Sequence, residues 1–253
     1  PPPTPPPPPP TPLFFFNAHP PIRHFCLSRG LGDVYKRQLA SGLYGNGRML
    51  EPNQIISFLI NHYKSNLPLT GKNILITSGP TYEQIDPVRF IGNNSSGKMG
   101  FALAEVAASK GANVILITGP TNEKIQNSMI EVHPVLSAYN MYEAVKKHYA
   151  NCDIAIASAA VSDFRVKSPA KKKIKKFQGK RSIELIPTED ILAYMGRNKK
   201  NQFLVGFALE TDNELENAKI KLKEKNLNAI VLNSLNDKGA GFSSNTNKIT
   251  YIK

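Results

Sequence analysis

Between residues 71 and 232 the chain alternates short, uninterrupted apolar runs with longer stretches in which apolar positions return at helical spacing. The runs at 73–77, 113–118, 153–158, 203–207 and 229–232 are too short for helices and lack a polar face. They predict strands buried on both sides, as in a parallel sheet. Between them the spacing predicts helices over about 98–110, 138–149, 189–195 and 213–225. Strand and helix in regular alternation mark βαβ units. The predicted fold is therefore α/β, a Rossmann-like, doubly wound, mainly parallel sheet flanked by helices. In such a sheet ligands bind outside the carboxyl ends of the strands.

Upstream the pattern changes. Residues 53–63 predict a short helix with Ile55, Ile56, Leu59 and Ile60 on one side, and 65–70 a linker containing Pro68. Residues 13–38 show neither period, and the first twelve residues hold half of the chain's 20 prolines. Such a run predicts an extended polyproline segment that cannot join a core. The string Ser28-Arg-Gly-Leu-Gly-Asp-Val-Tyr-Lys-Arg-Gln38 resembles translated adaptor sequence. Residues 1–38 are thus expected to be low-complexity and foreign to the native gene, with the functional domain over 71–253.

Composition narrows the classes. The chain has 253 residues, 41% of them apolar, enough for one large or two modest domains with a real core. Its net charge of +13 has two sources: seven cations without an acid between Lys171 and Arg181, and lysines scattered over presumed helix faces. No aromatic-interleaved basic stretch, zinc-finger spacing or recognition helix accompanies them, so most of the charge reads as solvated surface rather than a nucleic-acid footprint. Two cysteines, Cys26 and Cys152, do not make a disulfide scaffold and point to a reducing cytoplasm. No apolar run reaches the roughly 18 residues that span a bilayer. Leu13-Phe-Phe-Phe16 is too short for a signal core and has no basic lead, so a cytoplasmic location without membrane contact is expected.

The chemistry concentrates in loops. Gly79-Pro-Thr-Tyr-Glu83 and the stretch Asp86-Pro-Val-Arg-Phe-Ile-Gly-Asn-Asn-Ser-Ser-Gly-Lys-Met-Gly100 join the first strand to the first helix of the alternation. Backbone N–H groups at a helix start, with Arg89 and Lys98 nearby, suit a phosphate or carboxylate. Gly92-Asn-Asn-Ser-Ser-Gly-Lys-Met99 nearly matches a P-loop, but Met99 stands where a hydroxyl must reach Mg²⁺. An ordinary Gly/Asn turn would explain the glycines, though not the loop's length or its Arg, Asn and Lys content.

Ser158-Ala-Ala-Val-Ser-Asp163 closes the third strand. Its small side chains let a ring or ribose approach the backbone, and Asp163 can accept from amino or hydroxyl donors; tight packing explains Ala-Ala equally well. Lys173-Ile-Lys-Lys176 lies in the basic loop, where a lysine could stabilise charge developing on a departing pyrophosphate; alone it would read as a solvated charge run. Val205-Gly-Phe-Ala-Leu-Glu-Thr211 leads into a helix on which Lys221 and Lys225 share a face. Glu214 and Glu216 are acids available to pair with its lysines. No histidine falls in a metal or triad pattern.

Together these segments closely resemble the bacterial phosphopantothenoylcysteine synthetases, CTP-dependent phosphopantothenate–cysteine ligases of coenzyme A biosynthesis. The likeness runs from about residue 71 to 253. It covers Thr77-Ser-Gly-Pro-Thr, Asp86-Pro-Val-Arg-Phe-Ile, Asn94-Ser-Ser-Gly-Lys-Met-Gly-Phe-Ala-Leu-Ala, Ala159-Ala-Val-Ser-Asp, Lys173-Ile-Lys-Lys, Val205-Gly-Phe-Ala-Leu-Glu-Thr, and Lys221 with Lys225. The resemblance implies two steps. The carboxylate of 4'-phosphopantothenate attacks the α-phosphate of CTP, giving an acyl-cytidylate and pyrophosphate, and the amine of L-cysteine then displaces CMP. It further implies that Ser158, Ala159, Asp163, Lys173, Glu189, Asp190, Ile191, Leu192, Phe207, Lys221 and Lys225 contact CTP. Lys173 would act in cytidylation, and Asn93, with Arg89 beside it, would hold the intermediate. Mg²⁺ is expected with the triphosphate, on ligands the sequence does not identify, and members of the family pair as homodimers.

The family is often fused behind a flavin-dependent decarboxylase, and Gly45-Asn-Gly-Arg-Met-Leu-Glu-Pro52 resembles that partner's end, making 39–70 its remnant plus a linker. Ser41 stands where the partner commonly has a proton-donating cysteine, so neither decarboxylation nor FMN is expected. Thr188-Glu-Asp-Ile191 replaces the usual Asn-Pro-Asp-Ile, so only Asp190 and Ile191 carry over firmly. The chain also ends short of the family's usual final strand and helix. Two other classes remain as alternatives. A nicotinamide-dependent Rossmann oxidoreductase would need a glycine fingerprint after Thr77 and an acid ending the second strand, where Thr118-Gly119-Pro120 stands. A basic nucleic-acid-binding domain would show affinity falling steeply with salt and no nucleotide turnover.

Overall fold

The computed structural model describes residues 36–38, 44–46, 51–176, 182–210, 212–234 and 248–253. The proline run, Cys26, most of the adaptor-like string, Ser41, Lys180, Arg181 and Thr211 lie outside the described residues. The chain divides into two compact units, Pro1–Tyr63 and Lys64–Lys253.

In the first unit, β1 (Lys36–Gln38) and β2 (Tyr44–Asn46) pair antiparallel. The division itself falls within α1 (Pro52–Ser65), a helix of 14 residues that begins one residue before and ends two beyond the expected 53–63. Its apolar positions Ile56, Leu59 and Ile60 are exposed.

The second unit is built on a seven-stranded sheet. Its members are β3 (Asn73–Ser78), β6 (Asn113–Thr118), β7 (Ile130–Pro134), β8 (Ile154–Ala157), β11 (Phe203–Glu210), β12 (Ala229–Ser234) and β13 (Ile249–Ile252). They lie in the order β13-β12-β11-β8-β3-β6-β7. All neighbours run parallel except β13, which pairs antiparallel with β12 at the edge. The doubly wound, mainly parallel sheet predicted from the apolar runs is the observed one.

The two-residue period of a strand splits the core between two faces. Ile74 and Ile76 of β3 pack with Phe101, Ala104, Val114 and Leu116 on one side. Leu75 packs with Met141, Tyr149, Met195, Leu204 and Ile230 on the other. The first face is covered by α2 (Lys98–Ser109), the second by α3 (Ala138–Tyr149), α4 (Ile191–Arg197) and α5 (Glu214–Glu224). Helices α2 and α3 match the expected spans within one residue. Helix α4 starts two residues later than expected, because Asp190 caps it from a non-helical conformation, its carboxylate accepting from the Ala193 N–H at 2.7 Å.

Several short elements had no periodic signal. β4 (Tyr82–Gln84) and β5 (Phe90–Gly92) form a hairpin within what reads as one long loop, closed by Tyr82 stacked on Phe90 with ring centroids 3.8 Å apart. β9 (Phe164–Val166) and β10 (Leu185–Pro187) form another around the lysine-rich segment. Two close approaches explain glycines near the crevice. A Cβ on Gly100 would lie 2.3 Å from Ser78 Oγ, and one on Gly119 would lie 1.6 Å from the Pro80 carbonyl oxygen. Helix α2 can therefore seat against the end of β3, and the loops after β3 and β6 can touch.

Candidate functional site

The strand order reverses at β3: β6 and β7 lie to one side of it, while β8, β11 and β12 lie to the other. Such a reversal opens a crevice at the carboxyl ends of the two strands that part there, here β3 and β8. The pairing of these strands continues past their ends and makes the crevice floor. Ser158 N donates to Thr77 O at 3.2 Å, Ala160 N to Gly79 O at 2.9 Å, and Thr81 N to Ala160 O at 3.3 Å. Side chains stitch the same seam. Ser158 Oγ donates to Thr77 O at 2.7 Å, Ala159 N to Thr77 Oγ1 at 3.4 Å, and Ser162 N to the buried Thr81 Oγ1 at 2.9 Å.

One wall follows from the segment before α4. Thr188 N donates to Asp163 O at 2.9 Å, and Thr188 Oγ1 to Ser162 O at 2.6 Å. Asp163 itself is exposed. Beside it Glu189 is half-buried, with an enclosed Oε2 that has no hydrogen-bond partner among the described residues. Asp190 accepts from Lys225 Nζ at 2.6 Å. Burial pushes this carboxyl up, but the Lys225 ammonium and the capped Ala193 amide outweigh it, so its pKa lies below the ordinary value. The lysine of this helix thus pairs with the cap of another helix, not with Glu214 or Glu216. Ile191 is 5% exposed and belongs to the core, so only its main chain can face a ligand; Leu192 is half-buried against the same core.

The other wall comes from β11. Gly206 lies opposite Ala157, so Phe207 stands alongside Ser158. Lys221 Nζ donates to Phe207 O at 3.0 Å, which ties α5 to β11 at the level where β8 ends. Asn93, just past β5, donates through Nδ2 to Val161 O at 2.8 Å and so ties the Gly/Asn/Ser loop to the floor. Ser158, Ala159, Asp163, Phe207, Lys221 and Asn93 therefore gather where β3 and β8 end, with Glu189, Asp190 and Leu192 following Thr188 along the chain and Lys225 bonded to Asp190.

Arg89 and Lys173 form a separate grouping. Arg89 Nε donates to Asp86 Oδ2 at 3.0 Å, and a second guanidinium nitrogen donates both to that oxygen and, at 2.7 Å, to Ile174 O. Ile174 N donates to the same Asp86 Oδ2 at 3.0 Å. Asp86 is buried, and the Arg89 guanidinium, with the Ile174, Val88 and Arg89 amides, holds its carboxyl far below the ordinary range against the upward push of burial. Lys173 is exposed next to this anchor. Arg89, expected to meet a ligand, has its guanidinium engaged by Asp86 and Ile174. Asp86 is the site residue that sequence reasoning passed over, although an Asp opening a turn with Arg three residues on is an Asx-turn signature.

A cavity of about 370 Å³ lies at the carboxyl ends of β6 and β7, lined by Phe101, Thr118, Thr121, Ile125, Val132 and Val135. None of the sequence-predicted residues lines it. Among the described residues no cluster of three or more His, Cys, Asp or Glu could hold a metal ion. A magnesium ion carried in on a nucleotide needs only one or two carboxylates and keeps its waters. Asp163 and Glu189 at the crevice fit that mode. Cys152 precedes β8 at the opposite end of the strand and donates to Tyr149 O at 3.2 Å, its thiol pushed up to about 12 by burial. Among the described residues no helix is long and apolar enough to cross a membrane.

Residues 69–253 match the family described as the DNA/pantothenate metabolism flavoprotein C-terminal domain. The chain is 47% identical over 214 residues to the coenzyme A biosynthesis bifunctional protein CoaBC of Bacillus subtilis (strain 168), covering 84% of this chain and 53% of that protein. It is 52% identical over 220 residues to a protein of an unknown prokaryotic organism named cysteine/cysteine sulfinic acid decarboxylase, covering 85% of this chain and 61% of the relative. The chain thus spans little more than half the length of these relatives. Among solved structures, the C-terminal domain of CoaBC superposes with a TM-score of 0.60 at 42% identity, over 74% of this chain and 89% of that one. A Cab2 variant in complex with phosphopantothenate-cysteine shares the fold at 20% identity, with a TM-score of 0.57 over 78% of this chain and 87% of that one.

Proposed function

The chain belongs to the DNA/pantothenate metabolism flavoprotein C-terminal domain family, and from that membership we propose that it is a ligase joining 4'-phosphopantothenate to L-cysteine with CTP, in coenzyme A biosynthesis. The observation that carries this reading is the convergence of Ser158, Asp163, Asp190, Phe207, Lys221, Lys225 and Asn93 on the crevice between β3 and β8. The arrangement offers main-chain groups, small side chains and ammonium groups and, among the described residues, no nucleophile paired with a base.

Those are the means by which a site catalyses displacement at phosphorus and then at an acyl carbon, since both steps depend on positioning and charge stabilisation. In the first, a carboxylate oxygen bonds to the α-phosphorus and the bond to pyrophosphate breaks. Lys173 offsets the charge that gathers on the leaving group. In the second, the cysteine nitrogen bonds to the acyl carbon, CMP leaves with the electron pair, and the amine gives up a proton. Asn93 holds the acyl-cytidylate between the two steps. Lys221 and Lys225, fixed by Phe207 and Asp190, neutralise phosphate charge. Magnesium arriving with the triphosphate, beside Asp163 and Glu189, would screen its negative oxygens. The active form is a homodimer.

Pyrophosphate release, measured with CTP against ATP and with phosphopantothenate present or omitted, tests the reading. Release that needs both CTP and phosphopantothenate is expected. Release without the acid, or none with any nucleotide, removes the ligase assignment.

A further inference from the structure

The lysine-rich segment is fastened to the β4–β5 turn at two points. Ala170 N donates to Ile85 O at 2.9 Å, and Ile174 is held from both sides, its N–H by Asp86 Oδ2 at 3.0 Å and its carbonyl by Arg89 at 2.7 Å. Between the fastenings lie Lys171, Lys172 and Lys173, all exposed. Asp86 divides its two oxygens between two tasks. Oδ1 accepts from Val88 N at 2.8 Å and Arg89 N at 2.9 Å and so shapes its own turn, while Oδ2 is given to Arg89 and Ile174. The turn is connected in its own right to the crevice, because only β5 (Phe90–Gly92) separates Arg89 from Asn93, about 13 Å at strand rise, and Asn93 bonds Val161 of the floor.

We infer that Asp86 is a positioning residue: with Arg89 it clamps the main chain of Ile174 and turns residues 170–174 into a fixed arch that holds Lys173 at a set place relative to the crevice. A lysine carried on an unfastened loop would sample many positions, and charge stabilisation depends on its being in place before the reaction. This role rests on the ligase reading, whereas the clamp itself does not.

Asp86→Asn separates the two tasks. The amide oxygen keeps the turn's acceptor, but the NH₂ group meets the Arg89 guanidinium and the Ile174 N–H, which need an acceptor. Brief trypsin treatment, read by mass spectrometry, is expected to cut after Lys171, Lys172 and Lys173 at least about tenfold faster in the variant, with other sites unchanged. Pyrophosphate release should fall at least about tenfold in kcat while the KM for CTP moves less than about twofold. In the unsubstituted chain the Ile174 amide should exchange more slowly than those of Lys173 and Lys175. That measurement decides the matter if the variant fails to fold. Equal exchange at the three amides, or unchanged cleavage in a folded variant, overturns the clamp. A loss of turnover carried wholly by KM overturns the positioning role. If the unsubstituted chain releases no pyrophosphate, the ligase reading and the positioning role fall together, while cleavage and exchange still decide whether the clamp exists.

Discussion

Lys225 Nζ lies 2.6 Å from Asp190 Oδ2, so the C-cap of α5 is pinned to the N-cap of α4. The pair is partly exposed, at 27% and 50% of the two side chains, so the ion pair alone adds little to stability. The cap contributes more. Asp190→Ala is expected to lower the unfolding free energy by about 1 kcal/mol, and Lys225→Met by less, as read from urea midpoints. If the site binds a triphosphate, Lys225→Met should nonetheless weaken CTP binding by about an order of magnitude, a loss of roughly 1.4 kcal/mol measurable by calorimetry.

Lys173→Gln should abolish pyrophosphate release while leaving the fold unchanged by circular dichroism. Asn93→Asp should leave the first step partly intact and impair amide formation. Lys173→Gln should therefore lose pyrophosphate and amide product together, because the second step consumes the product of the first, whereas Asn93→Asp should lose amide product more than pyrophosphate. Equal loss of the two products in Asn93→Asp, or retained pyrophosphate release in Lys173→Gln, would contradict the division of roles.

Asp86 titrates below its ordinary value of 3.8 because the folded protein prefers its charged form. The sign follows from linkage: a depressed pKa stabilises the native state above 3.8, and that contribution is lost as the pH falls below 3.8 toward the folded-state pKa. Unfolding free energy should therefore fall with acidification in that window. The slope should be shallower in Asp86→Asn, with Asp153 and Asp190, also lowered, accounting for part of what remains.

Gly119→Ala places a methyl against main chain rather than against a side chain that can swing away, because the contact is the Pro80 carbonyl oxygen. A loss of about 1–3 kcal/mol or more is expected from such overpacking. A thermal midpoint within experimental error of the unsubstituted chain would show that the loops after β3 and β6 do not meet as described.

Cys152, with its thiol pushed up to about 12, should remain protonated at neutral pH. In a Cys26→Ser background, a disulfide reagent should modify it slowly under native conditions and quickly in denaturant.

The sheet was legible because its inner strands are buried on both faces and must be written as apolar runs; β3 from Ile74 to Ile76 is an example. The edges were not. In β7, Glu131 and Val132 are exposed, and in β13 three of four residues are, so neither carries such a run. At the crevice, the glycines, serines and lysines announced themselves by type and spacing. What they bind to did not, because the partners are distant in sequence: Asp86 meets Ile174 at a separation of 88 residues, and Asp190 meets Lys225 at 35. Only folding brings those pairs together, and a pattern read over a dozen positions has no access to them.

The hydrogen bonds that extend β3 and β8 beyond their ends make the bottom of the crevice a prolongation of the sheet. A ligand settling there meets a surface already ordered by folding, so capture costs little conformational entropy at the base. The entropy to be lost sits in the exposed side chains of the adjoining loops, Asp163 among them. Binding should accordingly quiet those side chains and leave the amides of Ser158 and Ala160 as slow to exchange as before.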